Sequence, residues 1–491
     1  MNNNLQDIQA VILAAGRATR FHTEKTKLAY PICGQAMILF PTKLLQTLNI
    51  PTIMVVGYQK ELIKDIITKE NISVDFVTQE QQQGTGHAIA CTKELWDRDH
   101  ILVMNGDVPF VTAETITALF NNHIQNDAAI SFVTSSDPDE TAKAYGRVIV
   151  NNNAISIVEA KDFKDNINEY NCVNAGIYLI KKNFLQDYIA MLNSNNASKE
   201  FYITDLVKIA SEHNLPVTTT DVPFNVIRGI NTFQELSAAE HIKQKELINY
   251  WMSQGVRFLF PEHVYIDLDV TIGQGSSIGS GVHLCGNTII GQNCTIKEFS
   301  SLNNVIIEDN AIIHPHCVID NTYIKENAEV GPFARLRSHV TVGEQCIIGN
   351  FVEIKSSTID KKTKAKHLSY IGDASVGSEV NIGAGTITCN YDGINKHETI
   401  IKDHAFIGSN NSLIAPITIG NNAFTAAGST ITSNVPDDAL AIARSYQTTK
   451  CDYIKKQLHQ AQLSHEEKNK LDGFSFVGAR IIHSDTPEEE Q

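Results

Sequence analysis

The chain has 491 residues and a net charge of −15. That length exceeds what one hydrophobic core supports, so two or three domains are expected. The acidic balance excludes a nucleic-acid binder with a basic face, but leaves room for a local basic pocket that takes small anions.

The N-terminal "MNNNLQDIQA" lacks the basic and apolar regions of a signal peptide. No apolar stretch approaches the roughly 20 residues that span a bilayer. A soluble, cytoplasmic protein without membrane insertion is therefore expected. Nine scattered cysteines with no CxxC pair argue against a disulfide framework or a zinc site.

Up to about residue 230, short apolar runs alternate with helical patterns. "AVILAA" (10–15), "TIMVVGY" (52–58), "VDFVT" (74–78), "ILVMNGD" (101–107) and "AAISFVT" (128–134) read as strands. "MILFPTKLLQTL", "KELIKDIITKE" and "AETITALFNNHI" read as the helices between them. This alternation predicts a doubly wound, mostly parallel α/β sheet, with ligands beyond the carboxyl ends of its strands. Residues 232–254 read as one long linker helix. From about 256 an aliphatic residue recurs every six positions, often before glycine: Ile272, Ile278, Leu284, Ile290 and Ile296, then Val330 to Ile354, then Ile371 to Ile431. Hexads of this kind predict a parallel β-helix with three hexads to a coil. Small residues two places earlier (Ser276, Val282, Thr288) suit its corners, and Cys294, Cys317 and Cys346 fall at that same inward position, as small buried hydrophobes.

Two constellations carry chemistry. In the first, "LAAGRATRF" ends a strand, and Arg17, Arg20, Lys25 and Lys27 follow within eleven residues of Gly16, so a phosphate at the loop backbone would meet cations. "QEQQQGTGHA" (79–88) offers a glycine-rich backbone on which a base and ribose can lie. Asp107 of "NGDVPF" stands at a strand end, as a Mg²⁺ ligand or a helix N-cap. In the second, Arg337 and Lys355 are eighteen residues apart, one full coil, which stacks two cations on one face. His367 lies near the next coil, and the stretch 381–401 breaks the six-residue period as an inserted loop. A histidine beside two cations and a loop is a candidate base.

In order along the chain, "LAAGRATRF", "KTKL", "QQQGTGHA", "NGDVP", "AYGRVI", "IVEAKD", "NAGIYL", "FYITDLV" and "RGINTFQEL" resemble the sugar-1-phosphate nucleotidyltransferases. More narrowly they resemble the bacterial bifunctional UDP-N-acetylglucosamine pyrophosphorylase and glucosamine-1-phosphate N-acetyltransferase family, and "HLSYIGDA" and "NIGAGTITCNYDG" resemble its acetyltransferase half. The resemblance implies a Rossmann-like nucleotidyltransferase domain over 1–231, a linker helix over 232–255, a left-handed hexapeptide-repeat β-helix over 256–451 and a flexible tail over 452–491. It implies that Leu13, Ala14, Ala15 and Gly16 hold UTP, with Arg20 and Lys27 on its phosphates, and that Gln79, Gly84 and Thr85 read the uracil. Asp107 and Asn231 would hold Mg²⁺, while Asn105, Gly146, Glu159, Asn174 and Asn231 would contact the nucleotide sugar. In the second half, Arg337, Lys355, Tyr370 and Asn381 would bind glucosamine 1-phosphate and His367 would accept a proton from its amine. Ala384, Asn390, Tyr391, Ser409, Ala427 and Arg444 would hold acetyl-CoA. The product, UDP-N-acetylglucosamine, feeds cell-wall and lipopolysaccharide synthesis, and a homotrimer with acetyl-CoA bound between subunits is implied.

The family pattern is broken at Ala18 (for glycine), Thr26 (for proline), Asn105 (for tyrosine), Ala175 (for threonine) and Ser338-His339 (for Pro-Gly). The alternatives are an acetyltransferase whose first half is weakened or inactive, a single-activity nucleotidyltransferase on a structural β-helix, and a non-catalytic trimeric scaffold.

Overall fold

In the computed structural model, which describes residues 5–17, 19–136, 138, 140–151, 154–163 and 170–463, seven strands form the main path of the first, nine-stranded sheet. They are β1 (Ile8–Ala14), β2 (Thr52–Val56), β3 (Asp75–Thr78), β4 (His100–Asn105), β5 (Ile130–Ser135), β6 (Val173–Lys181) and β7 (Val217–Asp221). Their order across the sheet is β7-β5-β6-β4-β1-β2-β3. The core strands are largely apolar, as expected of a sheet covered on both faces: in β1 and β2, Val11, Ile12, Ile53 and Val55 are fully buried. The expected strands and helices are present, with ends moved by one to three residues. One element differs in direction: β6 runs antiparallel to both β4 and β5. A hairpin, Arg147–Asn151 with Ala154–Val158, attaches to β6 at Val173.

The linker helix runs Phe233–Ser253. The Thr232 hydroxyl caps it by accepting from the Glu235 amide at 3.2 Å, and the Glu235 carboxylate reaches back to accept from the Asn231 amide at 2.6 Å. Asn231 is thereby fixed at the helix start.

From Arg257 to Ala441 the chain winds as parallel short strands in one 26-stranded sheet. Three inward columns form its core. Ile272, Ile290, Ile307 and Ile324 stack in one; Ile278, Ile296, Ile313 and Val330 in the second; Leu284, Leu302, Ile319 and Leu336 in the third. The coil is not always eighteen residues. Ile272 pairs with Ile290, eighteen on, but Ile290 pairs with Ile307 and Val342 with Ile359, each seventeen on. One corner drops a residue in these turns, which is why the hexads read as irregular. Ser276, Val282 and Thr288 are fully buried, as their corner positions require. Cys294, Cys317 and Cys346 are buried too, and burial pushes the thiols of Cys317 and Cys346 up to about 11. All nine cysteines are free thiols.

The excursion expected over 381–401 is shorter than that. Asn381–Ile382 and Ile387–Cys389 keep the coil register, with Ile382 opposite Ile407 and Thr388 opposite Leu413. Only the segment between Cys389 and Thr399 leaves the coil. Residues 1–442 form one compact unit and 443–491 another. In the latter, Tyr453–Leu463 is helical. The expectations placed on Ala18 and on residues 464–491 lie outside the described residues. Among the described residues no helix is long and apolar enough to cross a membrane.

Candidate functional site

The strand order reverses between β1 and β4, so their carboxyl ends open a crevice. Leu13 is in register with Asn105, and the Gly106 amide donates to the Leu13 carbonyl at 3.0 Å. Beyond β1, Ala14 and Ala15 are buried while Gly16 and Arg17 are exposed. Nothing lies within 4 Å of where a Gly16 side chain would be, so this backbone is open to a ligand. Gln79 is buried, its amide nitrogen held by the Gly84 carbonyl at 3.2 Å and His87 Nδ1 at 2.9 Å. Gly84 has φ +108°, and a Cβ there would come within 2.6 Å of the Phe201 carbonyl, so only glycine fits. Thr85 Oγ1 accepts from the Ile203 amide at 3.0 Å.

Two cavities meet at this crevice. One, of about 440 Å³, is lined by Leu13–Gly16, Lys27, Gln79 and Gly84. The other, of about 230 Å³, is lined by Arg20, Gly146, Glu159, Asn174 and Asn231. Leu13, Thr85, Asn105 and Asp107 border both. At the junction the Lys27 ammonium bonds to the Asp107 carboxylate and lies 2.8 Å from Asn231 Oδ1. Arg20 Nη2 donates to that same amide oxygen at 2.7 Å. The structure thus gathers Arg20, Lys27, Asp107 and Asn231 from four separate segments.

In the smaller cavity, burial pushes the Glu159 carboxyl up from the ordinary carboxylate range, and the neighbouring Thr204 side chain offsets part of this. Asn174 is held internally: its amide nitrogen donates to Tyr178 Oη at 2.6 Å and its oxygen accepts from the Gly176 amide at 3.2 Å. Gly176, at φ +70°, leaves room for the Asn105 side chain, since a Cβ would fall 2.7 Å from Asn105 Nδ2. Sequence reasoning missed Tyr145. Its hydroxyl accepts from the Gly229 amide at 2.6 Å, two residues before Asn231, and burial pushes that phenol up to about 12. The motif "AYGRVI" held the signal.

On the β-helix, Arg337 and Lys355 are direct neighbours across adjacent coils, as their spacing predicts. Each has an acidic companion. Arg337 Nε and Nη2 donate to Glu353 Oε1 at 2.9 and 2.7 Å, and Lys355 Nζ lies 3.4 Å from Asp373 Oδ2. The Asn390 amide also donates to Asp373 Oδ2, so this side chain is buried against the coil. The excursion brings in a third cation that sequence reasoning missed. Lys396 faces Lys355, and that contact pushes the Lys396 ammonium below the ordinary lysine range while Asp373 offsets part of the effect. Its signal was the insertion itself, whose turn is fixed by Asp392 accepting from the Ile394 and Asn395 amides at 2.7 and 2.6 Å and from His397 Nε2 at 2.7 Å.

His367 is exposed, in register with Asn350, and its Nδ1 lies 3.0 Å from Asn350 Oδ1. An amide oxygen only accepts, so Nδ1 carries the hydrogen and Nε2 presents its lone pair outward. Below His367 the same corner is bare. The Gly385 amide donates to the Leu368 carbonyl, Asn410 to Ala384 and Gly428 to Ser409, each at 2.8 Å. Ala384, Ser409 and Ala427 therefore descend as a strip of small residues. Tyr370 lies on the face of Arg337 and Lys355, in register with Glu353. Asn381 does not: it is in register with Lys364 and Phe406, on the face before the His367 corner. Tyr391 is exposed on the excursion, and Arg444 is exposed in the second compact unit.

Family models match three parts of the chain: a MobA-like NTP transferase domain over residues 10–160, six bacterial transferase hexapeptide repeats over 269–304, and a GMPPB C-terminal domain over 318–418. Proteins named bifunctional protein GlmU align along nearly their whole length. That of Exiguobacterium sibiricum is 38% identical, covering 90% of this chain and 99% of its own. That of Thermosipho melanesiensis is 40% identical, covering 92% and 98%. The chain belongs to the bifunctional GlmU family. Its architecture is accordingly a Rossmann-like α/β nucleotidyltransferase domain followed by a left-handed hexapeptide β-helix. As a GlmU-family member it is a transferase carrying both halves.

Proposed function

We propose that the chain makes UDP-N-acetylglucosamine in two steps, acetylating glucosamine 1-phosphate at the β-helix (256–451) and uridylylating the product in the first domain (1–231), with 232–255 as the link. The confluence of two cavities at Lys27, Asp107 and Asn231 carries this proposal. The larger cavity takes UTP, against the open backbone of Leu13–Gly16 with the uracil at Gln79, Gly84 and Thr85. The smaller takes N-acetylglucosamine 1-phosphate, at Asn105, Gly146, Glu159 and Asn174. The sugar phosphate oxygen attacks the α-phosphorus, a new O–P bond forms, the bond to the β-phosphate breaks and pyrophosphate leaves. No covalent protein intermediate is needed, so positioning and charge neutralisation carry the rate.

Asp107 and Asn231 fit Mg²⁺, because their oxygens already converge on one cation, the Lys27 ammonium. Among the described residues no cluster of three histidine, cysteine or acidic side chains forms a protein-only cage, so Mg²⁺ would share phosphate and water ligands. When bound, it neutralises charge at the transferring phosphate. Lys27, released from Asp107, and Arg20 would then turn to the phosphates.

At the β-helix, Arg337, Lys355 and Tyr370 hold glucosamine 1-phosphate. Two facing lysines share one aspartate there, an excess of positive charge that suits a phosphate. His367 Nε2 takes the proton of the amine as it attacks the thioester carbonyl, and CoA leaves as the thiolate. The small-residue strip of Ala384, Ser409 and Ala427 suits the slender arm of acetyl-CoA, with Asn390 and Tyr391 beside it. Asn381, on another face, is supplied to a neighbouring copy's site, which supports a homotrimer. Free thiols throughout fit a reducing cytoplasm.

A paired assay tests both halves. Wild type should convert glucosamine 1-phosphate, acetyl-CoA and UTP into UDP-N-acetylglucosamine with pyrophosphate release. Asp107→Asn should lose at least about 100-fold of pyrophosphate release and keep acetyl transfer; His367→Ala should lose acetyl transfer and, with N-acetylglucosamine 1-phosphate supplied directly, keep pyrophosphate release. Loss of both activities in either variant would contradict the division.

A further inference from the structure

At the corner after the Arg337 strand, neighbouring coils step five residues between inward positions, Ile319 to Ile324 and Ile354 to Ile359, but Leu336 to Val342 takes six. Ser338 and His339 absorb the extra residue, with φ of +61° and +63°. Among the described residues no other two consecutive non-glycine residues have positive φ. A turn with two such residues is ordinarily built from Asn-Gly, Asp-Gly or Gly-Gly. Where the same six-residue step recurs at Leu284 to Ile290, the chain uses Gly286, at φ +60°. Strain of this kind persists when the surrounding structure or the function demands it.

His339 is exposed. It lines a cavity of about 440 Å³ with Ser356, Asp373 and Lys396. Asp373 is the carboxylate shared by Lys355 and Asn390. The neighbouring His397 is committed to Asp392. His339 therefore borders the same cavity as Lys396 and as the aspartate that Lys355 contacts, and it stands two residues after Arg337.

We propose that His339 is a further ligand of the sugar phosphate in acetyl transfer, and that the strained turn is kept because it aims this ring into that cavity. The inference rests on the acetyltransferase reading of that face. The imidazole donates a hydrogen bond to a phosphate oxygen beside Arg337 and Lys355, and takes no part in proton transfer from the amine.

Steady-state acetyl transfer and thermal unfolding of the full chain test it, with Arg337→Ala as reference. His339→Gly should raise the melting temperature, because glycine accepts the turn, and raise KM for glucosamine 1-phosphate roughly five- to tenfold, leaving kcat and KM for acetyl-CoA within about twofold. Ser338→Gly should raise the melting temperature without moving KM. His339→Asn, which tolerates positive φ and keeps a donor, should recover part of KM. An unchanged KM in His339→Gly while Arg337→Ala raises it overturns this inference alone. A lowered melting temperature in His339→Gly also overturns it, since the ring would then be packing. If Arg337→Ala leaves KM unchanged, the underlying assignment of the site fails instead.

Discussion

Thr26 takes the place of a family proline beside Lys27, and its geometry explains how. Its φ of −59° and ψ of 137° are those proline would adopt, and its amide donates to Gln59 Oε1 at 2.8 Å, a bond proline cannot make. The side chain is fully buried and Oγ1 has no hydrogen-bond partner among the described residues. An unsatisfied buried hydroxyl costs about 1–3 kcal/mol. Thr26→Val should therefore raise stability by about 1 kcal/mol in urea unfolding and leave pyrophosphate release unchanged. At this scale the sequence singled out Gly84 and Asp107, and both line the larger cavity at the β1–β4 crevice. It did not reveal that Lys27 rests on Asp107, because the two are joined only by tertiary folding, and no local pattern carries that pairing.

The elements were legible where periodicity was strong and less so where a partner strand set the direction. The βαβ grammar implies parallel strands, and nothing in "NAGIYLI" announces that β6 runs the other way. The helix over Ala113–Gln125 carries a further feature that its amphipathic pattern hides. His123 is fully buried beneath it, with Nδ1 2.7 Å from Ser131 Oγ and Nε2 3.2 Å from His100 Nδ1 on β4. Burial, then the charge of His100, pushes His123 down to about 3, and burial lowers His100 as well. Lys181 adds to the depression, and Asp127, Asp99 and Asp7 oppose it. The unfolded chain binds these protons near pH 6.5 while the folded chain does not. The stabilisation from His123 is complete above about pH 6.5 and falls as pH drops toward 3, by up to about 1.4 kcal/mol per unit, and His100 acts in the same direction. Between pH 7.5 and 5.0, His123→Leu should lose about 2 kcal/mol less than wild type in urea titrations of the first domain. An equal loss in both proteins would exclude the pair as the cause.

For the molecule as a whole, the hexads announced the β-helix, but the outward positions tell more about its partners. At the corner that carries His367, Phe299, His316, Phe333 and Phe351 stack coil upon coil, with ring centroids 5.2, 5.0 and 5.3 Å apart and planes within 13°. Each of the four has positive φ, and the three phenylalanines remain about half exposed. Bulky residues are disfavoured in that backbone region, and a contiguous exposed aromatic edge is disfavoured in water. Both costs fall on one edge, which continues into Leu368, beside His367. Asn381 lies on the adjacent face, above the exposed Phe406–Phe424 stack. In the proposed homotrimer, a second copy packed along this edge would cover the rings and bring its own Asn381 face toward His367. Phe333→Glu places a charge in the middle of the ladder. It should dissociate the assembly in sedimentation velocity at micromolar concentration and lower acetyl transfer by roughly tenfold or more. Uridylyl transfer, served by cavities within one chain, should stay within about twofold. An intact assembly with full acetyl transfer would mean that the aromatic edge faces solvent, and that the copies meet elsewhere.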